Sequence, residues 1–211
     1  MKNTKNIFKS LVIASFAILS TQEAKAQDIG ADLVSKYVWR GGDFGEAAIQ
    51  PYISTAIGEN VEVGVWASYA LNDPTLSELD PYISVSLGSF GLTLTNYTFP
   101  YFENDELNPD YLGAFDFEGL EISATAEVGP VTLLGGYFTE LEDMYFEASF
   151  GLGDFGVAIG AGDNAYSTDG EFALCNIAID YSKDLGSVPA FGQLVYNPDV
   201  DIMFLVFGVS F

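Results

Sequence analysis

The 211-residue chain has no histidine and a single cysteine, Cys175. Positive charge is scarce too: seven Lys and Arg face thirty Asp and Glu, a formal −23 at pH 7. Each shortage removes a class of function. Without histidine there is no Ser–His–Asp triad, no histidine general base and no histidine-ligated metal. A lone cysteine makes neither an intramolecular disulfide nor a cysteine zinc site. So few bases cannot neutralise a run of phosphates, which sets nucleic acid aside as a partner. Nor is the chain an acidic disordered tail, because 49% of it is hydrophobic and 15% aromatic, far above what such tails carry.

The apolar run at residues 11–19 is shorter than the roughly 20 residues a transmembrane helix needs. It follows Lys2, Lys5 and Lys9 and leads to Ala24-Lys25-Ala26. A basic start, a short apolar stretch and a small-residue site together predict a cleaved secretory signal over 1–26. Its removal takes four of the seven bases and one of the thirty acids, leaving Lys36, Arg40 and Lys183 as the only positive side chains. Residues 27–211 show no composition break and read as one domain.

That domain alternates with a period of two, the signature of strands with one dry and one wet face. Residues 32–40 set Leu33, Tyr37 and Trp39 against Asp32, Lys36 and Arg40. Residues 81–87 set Ile83, Val85 and Leu87 against Tyr82, Ser84 and Ser86, and 120–128 alternate in the same way. Short turn signals at 58–60, 88–91, 129–130, 153–156 and 183–189 interleave with other connections at 41–46, 72–77, 103–116, 140–143, 163–170 and 197–199. Eleven connections predict twelve strands with both termini on one side, although ten or fourteen also fit. Twelve strands give about 15 residues per strand and connection, near what a bilayer-crossing β-strand with its turn requires.

A secreted sandwich alternates as well. Three features favour a closed antiparallel up-and-down barrel in a membrane. No segment is plainly polar, as an edge strand of an open sheet would be. Aromatic residues crowd the strand ends (Tyr37, Trp39, Tyr97, Phe99, Tyr101, Tyr137, Phe138, Tyr145, Phe146), where interfacial girdles lie. The last segment carries Met203, Leu205, Phe207, Val209 and a C-terminal Phe211 on one face.

A terminal strand of this kind resembles the insertion signal of bacterial outer-membrane barrels, which implies the barrel-assembly machinery as a partner. Ser35-Lys-Tyr-Val-Trp-Arg-Gly-Gly42 followed by Ala48-Ile-Gln-Pro-Tyr-Ile-Ser54 resembles the TorF-type porin family, clearest over residues 28–70 and in the last strand. The resemblance implies an outer-membrane location and a pore for small hydrophilic solutes. It implies no cofactor and no catalytic site. One departure stands out. The inward set of the last strand would be Val200, Ile202, Phe204, Val206, Gly208 and Ser210, mostly apolar where an open pore wants polar groups.

Strand parity places Asp32, Lys36, Arg40, Glu62, Asp80, Glu121, Glu127, Glu147 and Asp180 inward. Two bases neutralise at most two of these seven acids, and carboxylates left over need water. A wet lumen lined with negative charge prefers cations. The competing expectation is a barrel whose lumen is plugged by side chains, with a structural or adhesive role. An enzyme would have to work without histidine and with two lysines beyond the signal, and no nucleophile-elbow motif is present. Two loop groups, Glu103/Asp105/Glu106/Asp110 and Asp163/Asp169/Glu171, match no calcium-loop pattern and read as solvated charge. Cys175 is expected to face outward.

Overall fold

The computed structural model describes residues 27–99, 102–103, 106–107 and 119–211. The expected signal segment, Tyr101, Asp105 and Asp110 lie outside the described residues, and the side chains of Glu103 and Glu106 are likewise not described. Twelve strands form a closed barrel: β1 (Gln27–Val34), β2 (Ala48–Ile57), β3 (Val61–Ala70), β4 (Glu78–Leu87), β5 (Phe90–Asn96), β6 (Leu120–Val128), β7 (Val131–Phe138), β8 (Met144–Leu152), β9 (Phe155–Gly162), β10 (Ala173–Leu185), β11 (Val188–Asn197) and β12 (Ile202–Ser210). Each pairs antiparallel with its sequence neighbours, and β12 returns to β1. The strand count and the division of connections match the reading of the turns. Tight turns with positive-φ glycines at 58, 88, 129, 153 and 186 occupy the end that also holds Gln27 and Phe211.

Alternation decides which face is which. Ile29, Leu33, Ile53, Ile83, Ile122, Leu133, Phe146, Ile159, Ile179, Leu205 and Phe207 are all well exposed, and together they clothe nearly the whole circumference in apolar side chains. Met203 and Phe211 are 62% and 72% exposed, so the C-terminal set lies on the outer face with them. A water-soluble monomer rarely exposes more than a few hundred Å² of contiguous apolar surface.

The closing seam is short. β1 matches β12 at Asp32↔Ser210, Leu33↔Val209 and Val34↔Gly208, against eight positions with β2. At its lower end Ala31 and Phe211 exchange backbone hydrogen bonds of 3.2 and 3.0 Å. At its upper end Ser35 N–H donates to the Phe207 carbonyl at 2.8 Å, and Phe207 N–H donates to Ser35 Oγ at 2.9 Å. The hydroxyl stands in for a strand carbonyl, which frees the chain to leave the wall.

Here the structure departs from a straight strand over 32–40. The wall strand stops at Val34, and the following residues fold into the barrel as a small hairpin, Tyr37–Trp39 against Gly42–Gly45. Arg40 (φ 49°) and Gly41 (φ 81°) form its two-residue turn, the left-handed geometry of tight hairpins. Alternation within the segment was real, but it belongs to the hairpin rather than to the wall. Val38 packs on a buried cluster of Val34, Ala48 and Val206 with Phe191. That cluster explains the apolar inner face of the last strand: it receives the hairpin.

Cys175 is also corrected. The register between β9 and β10 shifts so that Gly160 faces Asn176 while Ala161 faces Leu174. Cys175 is the extra residue of this β-bulge, 1% exposed, with its thiol 3.8 Å from the Gly160 carbonyl. A bulge rotates residues away from simple parity, which a period of two cannot register.

Candidate functional site: an acidic lumen closed by an internal hairpin

The hairpin tip carries the densest chemistry. Arg40 makes a two-pronged ion pair with Glu121 of β6, Nη2 lying 2.9 Å from Oε1 and Nη1 bonding Oε2. Nη1 also donates to the Tyr166 hydroxyl at 2.8 Å. The guanidinium stacks 4.2 Å from the Trp39 ring centroid and 4.5 Å from that of Tyr145. Side-chain exposures of 8% for Arg40 and 2% for Glu121 make this a buried pair. Burial alone would lower the Arg40 pKa, but its bonds to Glu121 and the surrounding phenols hold it above its ordinary value. Burial pushes the Tyr166 phenol up to about 12, so at physiological pH it remains a neutral acceptor.

Around the pair, Trp39 contacts Tyr97 at 5.2 Å and Tyr166 at 6.2 Å, and Tyr97 contacts Phe138 at 5.2 Å between centroids. Several aromatic residues expected in an outer girdle are therefore interior: Tyr37, Phe138 and Tyr145 are at most 8% exposed, and Trp39 and Tyr97 line the lumen. Tyr137, Phe146 and Phe99 do face outward. Adjacent aromatic pairs straddle the wall, one ring on each side, as alternation demands.

Gly41 lets the tip reach the far wall. A Cβ there would stand 1.9 Å from the Cys175 carbonyl oxygen, and its φ already disfavours any side chain. The Gly41 carbonyl accepts a 3.1 Å bond from Asn197 Nδ2. Lys36, at the hairpin base, bonds Asp43 at 2.9 Å and Glu46 at 3.0 Å. Its partners are thus loop acids of its own hairpin rather than inward acids of neighbouring strands.

Below the tip lies a cavity of about 690 Å³, running from Trp39 and Arg40 towards Pro130 and Gly151 near the tight turns. It persists because β9 presents Gly156, Ala158 and Gly160 inward, leaving room for side chains of its neighbours. A Cβ at Gly156 would meet Asp180 Oδ2, and one at Gly160 would meet the Tyr145 hydroxyl. The cavity wall holds Glu121, Glu147 and Asp180. Glu147 Oε2 accepts from the Tyr145 hydroxyl at 2.6 Å and Asn176 Nδ2 at 3.1 Å. Asp180 Oδ1 accepts from Gln193 Nε2 at 3.2 Å.

The nine expected lumen residues are thus dispersed. Glu121, Glu147 and Asp180 share the cavity with Arg40. Asp80 is buried at 4% on the opposite wall, beside Glu78 at 3%. Glu62 accepts a 2.8 Å bond from the Tyr82 hydroxyl. Asp32 lies on the inward parity of β1, and Glu127 on that of β6, exposed near the tight-turn end. Among the described residues Arg40 is the single cation bonded to any of the seven acids. Glu78, Tyr166 and Asn197 escaped the reading of the sequence. Glu78 carried a usable signal, since it shares the parity of Asp80. No family model matches the chain, and no curated protein matches it.

Proposed function

We propose that the protein is an outer-membrane barrel that passes small hydrophilic solutes, cations preferentially, through a lumen narrowed by its own hairpin. The observation that carries this reading is the pair of cavity carboxylates, Glu147 and Asp180, which have neutral hydrogen-bond donors but no cation among the described residues. A carboxylate facing a dry cavity is strongly penalised, so such groups belong in water. Fixed negative charge along a watery path attracts cations and repels anions. The apolar circumference, a C-terminal strand that resembles an outer-membrane insertion signal and the resemblance to TorF-type porins support the location.

The test is current through the refolded protein in a planar bilayer under a salt gradient. A small conductance with a cation-selective reversal potential is expected. Replacing Glu147 by Gln and Asp180 by Asn should move that potential towards neutrality, more at low than at high salt, since screening competes with fixed charge. Anion preference in the unaltered protein would overturn the reading. One observation favours a second reading, a non-conducting barrel of structural or adhesive role: the hairpin tip is bonded to two wall strands through Glu121 and Asn197 and to the 163–170 connection through Tyr166. Folded protein that carries no current would decide for it.

A further inference from the structure

On the opposite side of the barrel from the cavity, β4 turns Glu78 and Asp80 inward, 3% and 4% exposed. Their carboxyl groups lie within hydrogen-bond reach of one another. The Tyr37 hydroxyl bonds Glu78, and Thr98 N–H donates to Asp80 Oδ1 at 3.3 Å. Glu78 Oε2 is buried with no hydrogen-bond partner among the described residues. Buried polar atoms are rarely left so, and an exception calls for an explanation.

The chain has no base to offer this pair. Arg40 is committed to Glu121, Lys36 to Asp43 and Glu46, and Lys183 is exposed beside the tight turns. Residues 100–118, outside the described set in large part, contain neither Lys nor Arg. A proton shared between the two carboxyls is the competing account, and the test below separates it from a bound cation. A cation lying between them accounts for both the close carboxyls and the unpartnered oxygen. The surroundings supply hard donors: Ser68 sits opposite Glu78 in the register, and Thr98 is bridged to Leu79. No thiol or imidazole is near.

We propose that Glu78 and Asp80 form a binding site for a divalent, oxygen-preferring cation of the calcium class, with Ser68 and Thr98 as neutral neighbours. Calcium draws on carboxylates, neutral oxygens and waters together, so two carboxylates are a sufficient anionic core. Bound there, the ion ties β4 to the hairpin through Tyr37, whose ring packs 5.5 Å from Trp66. The site is separate from the cavity and stands whether or not the lumen conducts.

The test uses the full chain without its signal segment, refolded in detergent, with CaCl2 and TbCl3 as probes. Calcium at a hundredfold excess over Kd should raise the thermal midpoint by about 5–10 °C, the shift that such ligand excess gives a domain of this size. The Glu78→Gln/Asp80→Asn variant should lose the shift, whereas Asp73→Asn, at an exposed acid in the next connection, should keep it. Trp66 faces Asp80 in the register, so bound terbium should luminesce on tryptophan excitation. Trp66→Phe should abolish most of that signal without touching either carboxylate. A calcium shift that survives the double substitution places the ion among the loop acids and overturns the proposal. No calcium shift or terbium signal in the unaltered protein overturns it in favour of a shared proton.

Discussion

At the scale of single residues, Arg40 holds the position on which the interior depends. A buried ion pair contributes little net stability against a well-packed apolar replacement, yet removing one partner strands the other charge. Glu121→Gln should therefore destabilise the barrel by about 3–5 kcal/mol in urea unfolding. Arg40→Lys should cost nearly as much, because an ammonium cannot make the two-pronged bond or stack on Trp39 and Tyr145. A cost below ~1 kcal/mol for both would mean that the pair is open to water and behaves as a surface bridge. Gly41→Ala combines an unfavourable φ with a clash against the Cys175 carbonyl. It should loosen the hairpin while leaving the wall intact, read as faster amide exchange confined to residues 36–46.

At the scale of elements, the proposed membrane location gives the two faces of each strand different solvents. Ile122 and Ser123 are adjacent on β6, the first 42% exposed on the outer surface and the second lining the cavity. Ile122→Arg should cost about 2–4 kcal/mol in unfolding from liposomes, as lipid-facing sites near the midplane do. Ser123→Arg should cost much less, and equal penalties would refute the assignment of faces. The hairpin is the other informative element. Replacing residues 36–46 by a short Gly/Ser linker removes Arg40, Trp39 and Val38 from the lumen together. Conductance should then rise several-fold if the hairpin is the constriction, and an unchanged current would locate the narrowing elsewhere.

At the scale of the molecule, closure rests on a seam only three matched positions long, extended by Ala31–Phe211 and Ser35–Phe207 bonds. Phe211 therefore has two roles: its backbone lengthens the seam and its ring ends the outer apolar row of β12. Phe211→Asp should sharply reduce the fraction of protein showing heat-modifiable mobility on gels after expression. Normal folded yield would show that the terminal ring is dispensable for assembly.

Alternation and punctuation are local properties, so the sequence by itself determined what they govern. Residues 81–87 and 120–128 sort into faces by period alone. Turn residues marked eleven connections between twelve strands, and the five tight ones each carry a glycine at positive φ, at 58, 88, 129, 153 and 186. The surplus of acids over bases was likewise legible, being a count. Tertiary structure decided what depends on distant partners. Residues 35–40 alternate as a wall strand would, but Ser35 lets the chain leave the seam, and the energy of Arg40 in the interior comes from Glu121, 81 positions away. The same holds for Tyr37, Trp39 and Tyr145, which packed inside rather than in a girdle. An aromatic at a strand end suits a lipid interface and a buried cluster equally well. The hairpin at Arg40–Gly41 carries Tyr37 and Trp39 inside, and Tyr145 takes the inward parity of Glu147 on β8.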